Sequence, residues 1–159
     1  MKKVTFYLIT QLFSQKELES HEWLACQLAA KNWRIGKRIL IACEHKIQAK
    51  KLDKILWQRE PYQFTPHNLA GEGPPYGAPV ELCWPTKQNI SMRDILINLQ
   101  STFVNFSTHF HEVIDFVPID EHLKQLARER YKTYHNMGFN LIMAYQHLIN
   151  NEARWKKNP

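Results

Sequence analysis

The stretch from Phe64 to Pro85, FTPHNLAGEGPPYGAPVELCWP, constrains this chain more than any other. It holds three of the five glycines and five of the eight prolines. Glycine admits turns that other residues resist and proline removes amide donors, so a segment this rich in both is a shaped connection or a long loop, not a helix. Regular periodicity stops on entering it and resumes near Val80, and again at Asp94. Connections of this length are uncommon in a compact domain unless they have a function.

Periodic segments surround it. Val4 to Ile9 is apolar nearly throughout, as a strand covered on both faces would be. Ser14-Gln15-Lys16-Glu17 has capping-box spacing, and a helical pattern follows to about Trp33, with Leu18, Leu24, Ala25, Leu28, Ala29 and Trp33 on one broad face. Gly36 stops it, and Arg38 to Cys43 reads as a second strand. Strand, helix and strand within about 40 residues predict a right-handed βαβ unit with parallel strands.

A second helix is expected from His45 to Trp57, with Leu52, Ile55 and Leu56 facing inward. Trp57 points away from that face. Trp57 and Phe64 therefore either pack beneath the long loop or form an aromatic contact patch.

Val80 to Trp84 and Asp94 to Leu99 have strand character, and Phe103, Phe106 and Phe110 recur at helical spacing. His111 to Val117 reads as the last strand, ended by Pro118, and a helix runs from an Asp120 N-cap to Met137 with Gly138 behind it. The expected fold is a single-domain, Rossmann-like open α/β sheet, mostly parallel, flanked by helices and without a nucleotide-binding loop.

That last helix is the most informative. Leu123, Leu126, Ala127, Tyr134 and Met137 form its apolar arc, while Lys124, Arg128, Lys132 and His135 make a basic stripe beside it, with Tyr131 on the seam. Arg130 falls inside the apolar arc, where it must snorkel or find a buried acceptor. The stripe is either a solvated face or a receptor for an acidic group with an apolar one beside it. A peptide ending in an aromatic residue and a free carboxylate fits the second case, because arginine takes a carboxylate bidentately while the ring is buried nearby. A phosphate backbone is the rival ligand, though no aromatic strand motif of an RNA-binding sheet accompanies the stripe.

Bulk properties narrow the class. With 159 residues, 44% apolar and 23% charged, the chain has the size and composition of one soluble domain. No run reaches the roughly 18 apolar residues of a membrane span. The opening MKKVTFYLIT is too short in its apolar part for a secretory signal and lacks a small-residue cleavage site, so it reads as a first strand and the expectation is a cytoplasmic protein. Cys26, Cys43 and Cys83 are widely spaced and odd in number, as reduced, buried thiols would be. A net charge of +6 allows a nucleic-acid, anionic-membrane or acidic-peptide partner without choosing among them.

Familiar sites fail on inspection. GEGPPYG lacks the lysine of a phosphate loop and does not follow the first strand, and Pro74 and Pro75 remove amides that would hold a phosphate. Cys43 with His45, and His109 with His111, have no second pair at metal-ligand spacing. No catalytic cysteine is singled out by an activating neighbour. His67, Asn68 and Glu72 serve either acid–base chemistry or the capping of turns. The expectation is no catalytic site, no cofactor and no metal.

The segments TFYLI, GKRILIAC, FTPHNLAGEGP, GAPVELCWP, RDILINL, VIDFVP and LKQLARERYKTYHNMGFNL occur in an order and at spacings that resemble the chi subunit of bacterial DNA polymerase III. The resemblance covers nearly the full chain. It implies a non-catalytic accessory subunit in DNA replication, counted with a DNA-directed DNA polymerase (a nucleotidyltransferase) only through membership of the holoenzyme. Such subunits link the clamp-loader complex, through the psi subunit, to the acidic C-terminal tail of single-stranded-DNA-binding protein. DNA contact would then be mainly indirect, with no membrane partner.

Carried over by residue, the resemblance places the tail site at Val117, Lys124, Arg128 and Tyr131, and Lys132 joins it from the stripe. Trp57 and Phe64 would belong to the psi patch, for which a helicase-like repair protein competes in some bacteria. The chi-like domain would span 1–141, leaving 142–159 as a polar, basic extension that frays or adds basic contacts. Pro61-Tyr62-Gln63 and Pro75-Tyr76 depart from the family pattern. Two other readings stay open: a direct single-stranded nucleic-acid-binding module, and a small α/β enzyme with Phe64 to Pro85 as its lid.

Overall fold

The computed structural model describes residues 1–10, 18–58, 64–88 and 93–145. In chain order the elements are β1 (Lys3–Leu8), α1 (Ser20–Arg34), β2 (Ile39–Ala42), α2 (Lys46–Trp57), β3 (His67–Leu69), β4 (Val80–Cys83), β5 (Ile95–Asn98), a 3-10 turn (Asn105–His109), β6 (Glu112–Val117), α3 (Glu121–Asn136) and β7 (Asn140–Tyr145). The strands form one seven-stranded sheet in the order β3-β4-β2-β5-β6-β1-β7. Every pairing within it is parallel. The inner strands β2, β4 and β5 are buried at all four positions each, which is why ILIA, VELC and ILIN barely alternate.

Strand alternation assigns the two faces. Phe6 packs on α3, its ring 5.6 Å from Tyr131 and 5.7 Å from Tyr134. Its neighbour Tyr7 points the other way, 6.4 Å from Phe116, which in turn meets His21 of α1 at 6.5 Å. Glu22 of α1 ties α2 to this second face through Gln48 and Lys51, each 2.8 Å away.

The open, parallel α/β sheet matches expectation, with three differences. β1 and β2 are parallel but not neighbours, because β5 and β6 stand between them. His67–Leu69 is a strand within the loop, paired with β4. It is three residues at the sheet edge with no apolar alternation to reveal it. β6 is not the last strand, since β7 follows on the outer side of β1. The division placed at 141/142 falls inside β7, and the extension beyond Tyr145 lies outside the described residues.

Ser14 and Glu17, read as a capping box, also lie outside the described residues. The box observed is five residues later. Glu19 is the N-cap of α1, and the Glu19 amide donates to Glu22 Oε1 at 2.9 Å. Met137, placed in the apolar arc of α3, is instead 54% exposed at its C-cap.

The first turn of α1 makes folding acid-sensitive. Burial lowers the His21 imidazole below its ordinary value against the pull of Glu22 and Glu19. Burial would raise the Glu22 carboxyl, but hydrogen bonds from Lys51, the Glu19 amide and Gln48 outweigh it and hold the group low. Both folded values lie below the unfolded ones. Their stabilising contributions are therefore full above the unfolded values, about 6.5 for histidine and about 4.3 for glutamate, and are lost as pH falls. We expect the urea midpoint to drop between pH 7.5 and pH 5.5, and His21→Gln to flatten that drop. An equal drop in wild type and variant would contradict this.

Candidate functional site

Two surfaces carry the residues singled out from the sequence. The first lies along α3. Asp120 caps the helix by accepting from the Leu123 amide at 3.0 Å. Lys124, Arg128, Tyr131 and Lys132 stand at helical positions i, i+4, i+7 and i+8 and so share one side. Tyr131 is 39% exposed with its ring seated on Phe6. Lys124 reaches Glu121 at 3.3 Å and Arg128 donates to Gln125 at 3.3 Å, both exposed contacts of little energetic weight. Val117 ends β6, two residues past Asp115 and hence on the sheet face that carries α3. These groups offer an aromatic platform beside cations whose present partners are easily displaced.

What orients α3 is the residue that broke its pattern. Arg130 has found a buried acceptor: Nε and Nη2 donate to the two carboxylate oxygens of Asp115 at 3.1 and 3.0 Å. Further bonds run from Nη1 to the Ser101 carbonyl at 2.8 Å and from Nη2 to the Phe116 carbonyl at 3.1 Å. Asp115 also accepts from Asn98 at 3.2 Å and from the Tyr134 hydroxyl at 3.0 Å. Burial and the Asp115 charge push the Tyr134 hydroxyl well above the ordinary tyrosine value, so it remains a donor. The pair fixes the rotation of α3, and with it the direction of the basic stripe.

The second surface lies at the C-terminal end of α2. The Trp57 and Phe64 rings are 5.2 Å apart, and His67 meets them at 5.1 and 5.8 Å. Trp57 is 60% exposed, so it does not pack beneath the loop. His67 was not assigned to this patch from the sequence, nor was Asp53. The His67 side chain is fully buried, with Nδ1 2.7 Å from the Thr65 carbonyl and Nε2 3.2 Å from Asp53 Oδ1. Burial raises the Asp53 carboxyl, helped by Glu72 and opposed by His67. The one legible signal was spacing, since Asp53 precedes Trp57 by four residues on α2.

The glycine- and proline-rich segment does the reverse of a phosphate loop. It turns carbonyls, not amides, toward its ligands, and the ligands are the chain's own arginines. Arg93 Nη1 donates to the carbonyls of Ile39, Ala78 and Pro79 at 3.0, 2.9 and 3.0 Å. Arg38 Nη2 donates to Tyr76 and Gly77 at 2.8 and 3.1 Å. Asn68 ties the segment together, accepting from the Ala78 amide at 2.6 Å and donating to the Glu72 carbonyl at 2.6 Å and to Glu81 Oε1 at 3.1 Å. Asn68 thus braces the turns, His67 joins the aromatic patch and Glu72 stays exposed at the loop surface.

Among the described residues, no three His, Cys, Asp or Glu side chains are grouped to hold a metal ion. The three cysteines are free and buried. Burial pushes the Cys43 thiol well up and the Cys83 thiol up to about 12. A thiol so placed is a poor nucleophile at neutral pH. No helix of the described residues is long and apolar enough to cross a membrane.

Comparison with known proteins adds a consistent result. A family model described as DNA polymerase III chi subunit, HolC, matches residues 1–142. The chain is 53% identical over 156 residues to DNA polymerase III subunit chi of Escherichia coli (strain K12), covering 98% of this chain and 100% of that protein. It is 47% identical over 140 residues to the Haemophilus influenzae subunit chi, covering 88% of this chain and 94% of the relative. The Pseudomonas aeruginosa subunit chi is 31% identical over 141 residues, 89% of this chain and 94% of its own length. Among solved structures, the crystal structure of T4 UvsW superposes with a TM-score of 0.61 at 11% identity, over 90% of this chain and 41% of that one. At that identity the likeness is one of fold alone.

Proposed function

The chain belongs to the DNA polymerase III chi subunit family, and from that premise we propose that it is a non-catalytic adaptor of the replication machinery in the cytoplasm. One surface holds the acidic C-terminal tail of single-stranded-DNA-binding protein, and the other docks the psi subunit that ties it to the clamp loader. The observation that carries this reading is on α3. A half-exposed tyrosine seated on Phe6 stands one turn from Arg128, whose guanidinium has one hydrogen bond among the described residues, the exposed one to Gln125.

In this reading Arg128 and Lys124 receive the terminal carboxylate and neighbouring acidic side chains, and Lys132 adds charge. The terminal aromatic ring lies against Tyr131 and Val117. Displacing Gln125 from Arg128 costs little, so a bidentate carboxylate bond is a net gain. At the other surface Trp57 and Phe64 give psi a two-ring anchor, the residue type that dominates protein interfaces. A helicase-like repair protein would compete for the same rings.

Two variants test the assignment together. Arg128→Ala should weaken an acidic, aromatic-terminated peptide by roughly 2 kcal/mol in a titration, about 30-fold, while leaving psi binding intact. Trp57→Ala should weaken psi by a similar factor and leave the peptide unchanged. Wild-type peptide affinity in Arg128→Ala, or equal loss of both partners in either folded variant, would refute the two-surface reading.

A further inference from the structure

A third surface has no role in the adaptor reading. Between the N-terminal end of α2 and the turn after β4 lies an open cleft of about 300 Å³, its floor formed by Leu69, Ala70 and Trp84 and its rim by Lys46, Lys50 and Lys87. It sits at the carboxyl ends of β3 and β4, the side of a parallel sheet where α/β folds bind ligands.

Three independent features make the cleft electropositive by construction. Helix N-termini favour acidic residues, yet the first turn of α2 has none and carries Lys46 instead. Lys46, Lys50 and Lys54 then repeat every four residues along one exposed side of α2, a row with roughly 6 Å per step. Lys87 is held in place by its backbone, which exchanges hydrogen bonds of 3.2 and 2.9 Å with Trp84. Its side chain crosses Gly71 at positive φ, so closely that a Cβ there would collide with Lys87 Cε. Among the described residues none of Lys46, Lys50 and Lys87 has an ion-pair partner. Among the described residues Glu72 is the single carboxylate on the rim.

We propose that this cleft and the lysine row leading from it bind the phosphate backbone of a single nucleic-acid strand. Lysines alone, with no arginine fork, suit phosphate oxygens as point charges better than they suit a planar carboxylate. A row of regularly stepped cations follows a linear polyanion, whereas a pocket for one anion would gather them around a point. Trp84 is only 7% exposed, so no base stacks on it and the contact reads no sequence. The strand would lie along α2, on elements other than α3.

The test is fluorescence anisotropy with an oligothymidylate probe and the full chain, as a function of salt. Wild type should bind at low salt with a steep salt dependence. The triple variant Lys46→Ala, Lys50→Ala, Lys87→Ala should bind at least tenfold more weakly, its log–log salt slope shallower by about 2, from about 0.7 per lost phosphate contact on a single strand. Arg128→Ala should bind as wild type does. No wild-type binding at low salt, or the same affinity and slope in the triple variant, would overturn the proposal. So would displacement of the probe by polyglutamate at equal charge concentration, which would assign the cleft to an acidic peptide. Should the triple variant lose its circular dichroism, Lys46→Ala with Lys50→Ala alone decides, both being exposed helix positions.

Discussion

Replacing Arg130 with alanine should destabilise the protein by about 3–5 kcal/mol, as expected when one member of a buried ion pair is removed. That is a large part of the 5–15 kcal/mol by which a typical domain is stable. The cause is what remains. The Asp115 side chain is 1% exposed and would keep its charge with only Asn98, Tyr134 and the Phe116 amide as donors. The Ser101 and Phe116 carbonyls would lose their donors in the same step. Removing both charges is a different experiment. Arg130→Met with Asp115→Leu fills the site with apolar groups and should recover much of the loss, because such a swap is often neutral or better. Urea midpoints for both single variants and the double variant would decide; a loss below 1 kcal/mol in Arg130→Ala would contradict the assignment. Since Arg130 sets the rotation of α3, folded Arg130→Met should also bind the acidic peptide more weakly although it never touches it.

Arg130 also shows where sequence reading succeeds and where it stops. Its misplacement on the helical wheel was visible, and so was the need for an acceptor. The acceptor was in view as well: Asp115 interrupts the apolar run of IDFVP, and a carboxylate inside a buried strand requires a partner. Pairing the two needs the knowledge that β6 passes beneath α3, and adjacency in a sheet is not written in periodicity. The same limit hid the separation of β1 from β2. Helices α1 to α3 and strands β1, β2, β4, β5 and β6 were legible because burial imposes a period or an unbroken apolar run. β3 and β7 were not, for they lie at the two edges, and edge strands are only partly covered. Of the candidate site, the α3 stripe was readable as charge spacing and Trp57 as an off-face aromatic. His67 was not, because it meets Trp57 and Asp53 across a gap that only the packing of β3 on α2 closes.

The loop that first drew attention predicts the second large effect. Gly77 has φ of 75°, a conformation costly to any residue with a Cβ. A Cβ there would collide with Arg93 Nη2 and approach Glu81 Oε1 to 2.7 Å. Gly77→Ala therefore adds backbone strain to displacement of a buried guanidinium, and should cost about 2–4 kcal/mol. Arg93→Ala should cost about 3–5 kcal/mol, since Glu81 is 1% exposed and would be left with Asn68 alone. Burial already lowers the Arg93 guanidinium from its ordinary value, yet three carbonyls and Glu81 still receive it.

The two losses should not add. Both variants break the same contact between Arg93 and the turn at Gly77, so the double variant should fall short of the sum by 1 kcal/mol or more in a double-mutant cycle. Hydrogen exchange supplies the local readout: the Gly77 and Ala78 amides, bonded to the Pro74 carbonyl and to Asn68 Oδ1, should lose protection in Gly77→Ala before the amides of β5 do. Strict additivity with uniform loss of protection would mean that the prolines alone hold the loop, and that the arginines merely fill space beside it.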